Sequence, residues 1–172
     1  REITIPAGTW KVDPSHSRVE FSIRHMGIAS IRGSFADFDA VIAGGERPRV
    51  SGAIRVGSVD TRDEARDGHL QSPDFFDAER YPEIAFTSTR FEDGKVVGDL
   101  TIRGVTREVE LAASVTGAGT DPWGNERLGL ELEGEIDRHD FGVSWNTPIP
   151  TGGLLLGDTV ALSAGFSAVK EA

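Results

Sequence analysis

Hydrophobic and polar residues alternate strictly along seven stretches of the chain, with little helical periodicity between them. The clearest stretch places Leu128, Leu130, Leu132 and Ile136 on one parity and mostly charged residues on the other. A period of two sends successive side chains to opposite faces of a sheet. The chain is therefore predicted to be all-β, and a closed barrel or a sandwich is the architecture that keeps one face of every strand dry.

The connections between these stretches favour an up-and-down arrangement of sequential antiparallel strands. The first stretch, residues 19–38, is predicted to bend near Gly27 and to continue as one strand, because an interior glycine is typical of a bulge. Residues 92–95 and 103–106 are predicted to be tight hairpin turns with glycine at a position of positive φ. The other alternating stretches are residues 54–59, 84–86, 100–102, 109–115, 127–137 and 160–168.

Residues 60–82 interrupt the alternation with a helical and acidic segment. Thr61 to Glu64 match a capping box, and Ser72 before Pro73 predicts the start of a second helix. The segment also carries three aromatic residues, Phe75, Phe76 and Tyr81. A long excursion with its own aromatics is expected to pack over an open end of the barrel.

Composition narrows the choice of partners. With 172 residues, 38% of them hydrophobic, and 21 glycines, the chain is expected to form one domain over residues 1–172. The formal net charge of −10 argues against nucleic acid and against electrostatic docking on anionic lipid, so an anionic ligand would need a local basic patch. The chain has no cysteine, which excludes disulfide and thiolate chemistry.

The sequence leaves localisation open. No run approaches the roughly 20 apolar residues of a transmembrane helix, so we expect a soluble protein. The first four residues lack the pattern of a secretory leader, and without an initiator Met the sequence is compatible with a trimmed upstream segment. Cytoplasmic and exported locations both fit.

The sequence contains no strong catalytic, metal-binding or cofactor motif. Its four histidines lack metal-ligand spacing, so neither a metal site nor a cofactor is predicted. Four neighbouring residues suggest either an acid–base cluster or a solvated, capped helix with paired charges, and the second interpretation is favoured. These residues are Asp63, Arg66, Asp67 and His69.

Small residues on the inward parity favour a hollow interior. An eight-stranded barrel is either filled by its own side chains or hollow around one ligand, and small inward residues leave volume. The residues assigned inward are Gly33, Ala53, Ala113, Gly134 and Ala164.

Several short motifs, in their order and spacing, carry a family resemblance. They are residues 10–17 (WKVDPSHS), 66–70 (RDGHL), 74–77 (DFFD), 98–106 (GDLTIRGVT) and 138–142 (RHDFG). Residues 10–168 resemble the YceI-like family, bacterial lipocalin-like proteins known for binding polyisoprenoids. The resemblance implies an eight-stranded antiparallel barrel with a short helical excursion near residues 60–82 over one end.

The resemblance also implies non-catalytic binding, transport or storage of a long-chain polyisoprenoid or isoprenoid quinone, and a possible homodimer. A barrel filled by side chains, serving a structural or stress-response role, is the second hypothesis, and an enzyme acting on an isoprenoid is the third. The head group is expected near His25, Arg66, Asp67 and His69. The expected lining residues are Phe21, Ile23, Phe35, Phe75, Phe76, Phe86, Leu100, Ile102 and Phe141.

Overall fold

The computed structural model describes residues 4–172, so the N-terminal residues 1–3, which bear on the question of a leader, lie outside it. Among the described residues, no helix has the length and apolar character needed to span a membrane. The single α-helix there, α1, is Glu64–Gln71. The strands are β1 Thr9–Val12, β2 Arg18–His25, β3 Ala29–Phe35, β4 Phe38–Ala43, β5 Arg49–Arg55, β6 Val59–Asp60, β7 Glu83–Glu92, β8 Lys95–Ile102, β9 Val105–Thr120, β10 Glu126–Asp137 and β11 Leu156–Lys170.

These segments form a closed barrel of eight antiparallel strands, as predicted. Each of the first three barrel strands consists of two short segments: β1 with β2, β3 with β4, and β5 with β6. Short 3-10 turns at Pro14–His16 and Val56–Ser58 make two of the breaks. The ring closes because the first barrel strand pairs on both sides, β1 with β4 and β11 and β2 with β3 and β11.

The first alternating stretch is two strands rather than one bent strand, which corrects the prediction at Gly27. Met26 and Gly27 both have positive φ, 56° and 71°, and they form the turn of the β2–β3 hairpin. A non-glycine residue in this conformation is uncommon, and Met gives no turn signal. The other two tight turns are confirmed, with Asp93–Gly94 and Arg103–Gly104 in the same left-handed conformation.

One end of the barrel is filled by large apolar side chains. Trp10 is 2% exposed and its Nε1 donates a hydrogen bond to the carbonyl oxygen of Pro6 at 3.0 Å. Ile5, Ile42 and Leu130 pack in the same cluster. This cluster closes the barrel on the side of the chain termini, so the open end is the one reached by the helical excursion.

At this closed end, the β9–β10 turn is held by polar contacts. The Asp121 carboxylate accepts hydrogen bonds from Arg127 Nε at 2.8 Å and from the backbone amides of Trp123 and Asn125 at 2.9 Å each. These bonds, above all the one from Arg127, lower the pKa of Asp121 to about 2. The turn presents the Trp123 side chain to solvent, 81% exposed.

Small inward residues are not the main source of free volume. The Phe21 ring occupies the space that a Cβ at Gly33 would need, and Leu111 Cδ2 would lie 2.6 Å from a Cβ at Gly134. Ala53 pairs with Asp39, whose exposed carboxylate bonds to Arg55, so strand alternation places Ala53 on the outer face. The predicted inward placement of Ala53 is therefore wrong.

The helical excursion has one helix, not two, and its N-cap is Asp63 rather than Thr61. The Asp63 side chain accepts the backbone N–H of Arg66 at 3.1 Å, while Thr61 is buried under the helix. Ser72 does not start a second helix. It ends the first one, since its hydroxyl donates to the carbonyl oxygen of His69 at 2.6 Å.

Replacing Trp10 with alanine is expected to lower the free energy of unfolding by about 3–5 kcal/mol, because it empties the centre of the closed end. Trp123→Ala, at an exposed position, is the matched control and is expected to change stability by less than about 0.5 kcal/mol. Urea unfolding followed by far-UV circular dichroism measures both. Equal stability of the two variants would contradict the assignment of this cluster as the core.

Candidate functional site

An apolar cavity of about 310 Å³ occupies the barrel between the Trp10 cluster and the helical excursion. Its volume is at the lower end of the roughly 300–1,000 Å³ of small-molecule sites. Strands from all around the ring contribute, because every inward residue of the open half faces the same space. The few polar side chains reaching it include His25, Arg66, His69 and Arg138.

Twelve of the thirteen residues predicted from the sequence line this cavity. They are Phe21, Ile23, His25, Phe35, Arg66, His69, Phe75, Phe76, Phe86, Leu100, Ile102 and Phe141. Asp67 does not line it. Its Oδ1 instead accepts hydrogen bonds from the Thr61 backbone N–H at 2.9 Å and the Thr61 hydroxyl at 2.6 Å.

Two groups of rings shape the mouth of the cavity. Inside the wall, Phe35 packs between Phe21 and Phe76, with ring centroids 5.5 and 6.0 Å apart. At the entrance, the His69 ring lies edge-on to Phe75 at 5.0 Å and to Trp145 at 4.8 Å. Trp145 comes from the segment between β10 and β11, so the excursion and that segment meet across the mouth.

The segment 142–155 was not predicted as part of the site, because it has neither helical nor alternating periodicity. It supplies Val143, Trp145 and Leu155 to the cavity wall. Asn146 folds it back on itself: its side chain donates to the Leu156 carbonyl at 2.8 Å and accepts the Leu156 N–H at 3.0 Å. The only signal in the sequence that could have pointed to this segment is its composition, which lacks charges and contains several glycines and prolines.

Arg138 anchors the segment 142–155. It is 3% exposed, and it donates from Nε to the Gly157 carbonyl at 2.8 Å and from Nη1 to the carbonyls of Val143 and Trp145, both at 2.9 Å. Nη2 is buried without a hydrogen-bond partner among the described residues. Burial lowers the pKa of Arg138, although a guanidinium stays charged at neutral pH.

The four residues considered as an acid–base cluster are held by separate structural contacts. Asp63 caps α1, and Arg66 donates from Nε to the Thr61 hydroxyl at 2.7 Å and from Nη2 to the Thr61 carbonyl at 2.6 Å. Asp67 bonds to Thr61 as described above, and His69 Nε2 lies 2.8 Å from Asp74 Oδ2. The arrangement fits the predicted capped helix. Within residues 4–172, no three His, Asp or Glu side chains converge as metal ligands.

Comparison with known proteins identifies the family. Residues 10–168 match the model of the YceI-like domain, which is nearly the whole chain. The chain belongs to the YceI-like family. The matched residues include the helical excursion and nearly all of the barrel.

Curated relatives and solved structures agree with this membership. A UPF0312 protein of Staphylococcus aureus (strain MSSA476) is 35% identical over 157 residues, 88% of this chain and 92% of that protein. The Campylobacter jejuni YCEI protein is 34% identical with a TM-score of 0.75, covering 87% of this chain and 91% of the other.

Two more distant structures share the fold. BcnA of Burkholderia cenocepacia has a TM-score of 0.78 at 23% identity, covering 91% of this chain and 98% of its own. A polyisoprenoid binding domain from Saccharophagus degradans has a TM-score of 0.71 at 14% identity, covering 96% of this chain and all of that domain. At these identities the likeness concerns the fold alone.

Replacing Arg138 with methionine is expected to lower the free energy of unfolding by about 3 kcal/mol, because three carbonyl oxygens lose their donor at about 1 kcal/mol each. The amides of residues 143–157 should also exchange faster with deuterated solvent. Arg103→Met is the control, because half-buried Arg103 donates a single side-chain hydrogen bond to the described residues, from Nη1 to the Gly142 carbonyl at 3.1 Å. Unchanged stability and exchange in Arg138→Met would contradict an anchoring role.

Proposed function

We propose that this YceI-like protein is a non-catalytic carrier that binds a long-chain polyisoprenoid or isoprenoid quinone in the barrel and transports or stores it. The observation that carries the proposal is the cavity, which is enclosed by apolar side chains from every part of the ring. The Saccharophagus degradans domain with the same fold is described as a polyisoprenoid binding domain, which supports the same class of ligand.

The physical chemistry of the cavity suits a hydrocarbon chain. A polyisoprenoid asks for almost no hydrogen bonds, and burying its surface contributes roughly 25 cal/mol per Å². Ordering its rotatable bonds opposes binding, and a preformed cavity avoids the further cost of ordering the protein. Phe35, Phe86 and Leu100 offer the smooth apolar walls that such a chain requires.

The polar end of the ligand would lie at the mouth. His25, Arg66 and His69 are half-buried and line the cavity there, whereas Leu132 and Phe166 line its inner end. A quinone carbonyl or a phosphate accepts hydrogen bonds from such donors. The placement supports insertion of the ligand with its hydrocarbon tail first.

The two other hypotheses have less support. A barrel filled by its own side chains does not fit a cavity of about 310 Å³. An enzyme would need an acid or base aimed at the bound chain, and the carboxylates of Asp63 and Asp67 are instead engaged by the backbone of the excursion. Binding without turnover is therefore favoured.

Native mass spectrometry of the purified protein tests the proposal, first as isolated and then with added farnesol, geranylgeraniol or a longer polyprenol. The expected result is a one-to-one adduct that is released unchanged by organic extraction. A protein that takes up none of these compounds contradicts the proposal, and a chemically altered compound supports the enzyme hypothesis.

Ala164→Phe is expected to lower prenol uptake by about tenfold or more, because Ala164 lines the cavity and the new ring would occupy it. Ala161→Phe is the matched control, on the same strand but with an exposed side chain of opposite parity. Titrations followed by native mass spectrometry compare the two. Equal uptake by both variants would place the ligand outside the barrel.

A further inference from the structure

Three exposed apolar side chains lie together at one side of the cavity mouth. Met26 and Ile28, in the β2–β3 hairpin, are 41% and 81% exposed, and Leu154 is 55% exposed. The two segments are joined directly, since Met26 N–H donates to the Leu155 carbonyl at 2.7 Å and His25 pairs with Leu156. We call residues 24–28 and 148–155 the apolar rim.

The apolar rim borders the entrance itself. His25 and Leu155, the neighbours of Met26 and Leu154 in the chain, both line the cavity. A ligand leaving between the hairpin and the loop would therefore pass the exposed side chains of Met26, Ile28 and Leu154. Large exposed apolar groups rimmed by polar residues are typical of a surface that meets another molecule or a membrane.

The charge around the apolar rim differs from that of the whole chain. Residues 21–36 carry Arg24, Arg32 and His25 without a single carboxylate, and residues 141–157 carry no charged residue, although the chain has a net charge of −10. Among the described residues, neither of these arginines lies within 4.0 Å of a carboxylate. Asp158, the first acid after the loop, is bound to His139 at 2.9 Å.

The carboxylates at this end of the barrel belong to other segments, namely the helical excursion and the ends of β10 and β11, which carry Asp137 and Asp158. The helical excursion contributes six carboxylates between residues 61 and 82 and only three arginines. The hairpin and the loop of the apolar rim are thus apolar and cationic, whereas the excursion is acidic. An anionic surface would attract the first and repel the second, which fixes the orientation of the protein on it.

A second copy of this chain fits less well. Two copies related by a twofold axis through the apolar rim would bring Arg24 against its own counterpart, and both would carry a charge of −10. Three apolar tips are also too few for a stable protein interface, which buries about 1,200–2,000 Å².

We propose that the apolar rim docks onto the headgroup region of an anionic lipid bilayer, with Ile28, Met26 and Leu154 inserted and Arg24 at the lipid phosphates. Docking in this orientation places the mouth of the cavity against the bilayer. The passage of a ligand between bilayer and barrel rests on the proposed function, whereas docking itself does not require a ligand.

Flotation with vesicles tests the docking. The protein is expected to bind vesicles of phosphatidylcholine mixed with phosphatidylglycerol more tightly than phosphatidylcholine alone, by about fivefold for each basic residue at the surface, and salt should weaken binding. Ile28→Glu is expected to lower binding to the mixed vesicles by roughly tenfold or more, because it places a carboxylate among the inserted tips.

Trp123→Glu is the matched control, since Trp123 has the same 81% exposure at the opposite end and the substitution changes the net charge equally. Trp123→Glu is expected to bind the mixed vesicles as tightly as Trp123→Ala does. Failure of the unaltered protein to bind mixed vesicles, or equal loss in the Ile28 and Trp123 variants, would overturn docking. A dimer that Ile28→Glu converts to monomer in analytical ultracentrifugation would instead assign the apolar rim to a second copy.

Native mass spectrometry separates this inference from the proposed function. Ile28→Glu should still take up geranylgeraniol presented without vesicles, while its transfer from mixed vesicles slows. Vesicle binding without prenol uptake in the unaltered protein would reject the carrier and leave docking in place. Prenol uptake without vesicle binding would reject docking and leave the carrier in place.

Discussion

The first barrel strand pairs on both sides, β1 with β4 and β11 and β2 with β3 and β11, and this double pairing turns a twisted sheet into a ring. Without it, the second barrel strand, β3 with β4, and β11 would each expose a row of unpaired backbone groups. β1 is short because the first barrel strand breaks at Pro14–His16, after which β2 continues along β11. Every inward side chain, and therefore the cavity, owes its position to that closure.

The ring alone does not decide where the barrel is full and where it is hollow. At the closed end, Trp10 and its neighbours meet across the axis. Towards the mouth, the Phe21 ring lies over Gly33 and the Phe86 ring over Gly98, where a Cβ would collide with them. The free volume therefore comes from the direction in which large side chains lie, and glycine contributes by letting a ring lie close to the backbone.

The alternation of residues was sufficient to predict the strands, because a side-chain period of two is imposed by the backbone itself. Together with the family resemblance it also indicated most of the residues in the cavity wall. It failed where the backbone does something unusual for its residues. Met26 takes a left-handed conformation without a turn-forming side chain, so a hairpin was read as a bend. Arg138 belongs to the motif of residues 138–142, but the carbonyls that it binds, those of Val143, Trp145 and Gly157, follow no periodic pattern that the sequence could reveal.

The N-cap of α1, in the helical excursion, could not be predicted from local sequence either. Thr61 and Asp63 are both good N-cap residues, and the sequence favoured the first because a carboxylate follows three positions later. In the fold, Thr61 is buried, and its hydroxyl accepts a hydrogen bond from Arg66 and donates one to Asp67, so only Asp63 remains available to cap the helix. Tertiary burial decided between two locally equivalent choices.

The hydrogen bonds that anchor the segment 142–155 go to main-chain groups. Arg138 binds three of its carbonyls or those bordering it, and Asn146 ties the backbone of Leu156. Anchors of this kind do not depend on which side chains the intervening residues carry. The segment is thus an exchangeable part: residues facing the mouth can be rewritten, by evolution or by design, to admit a different guest while the barrel beneath stays the same.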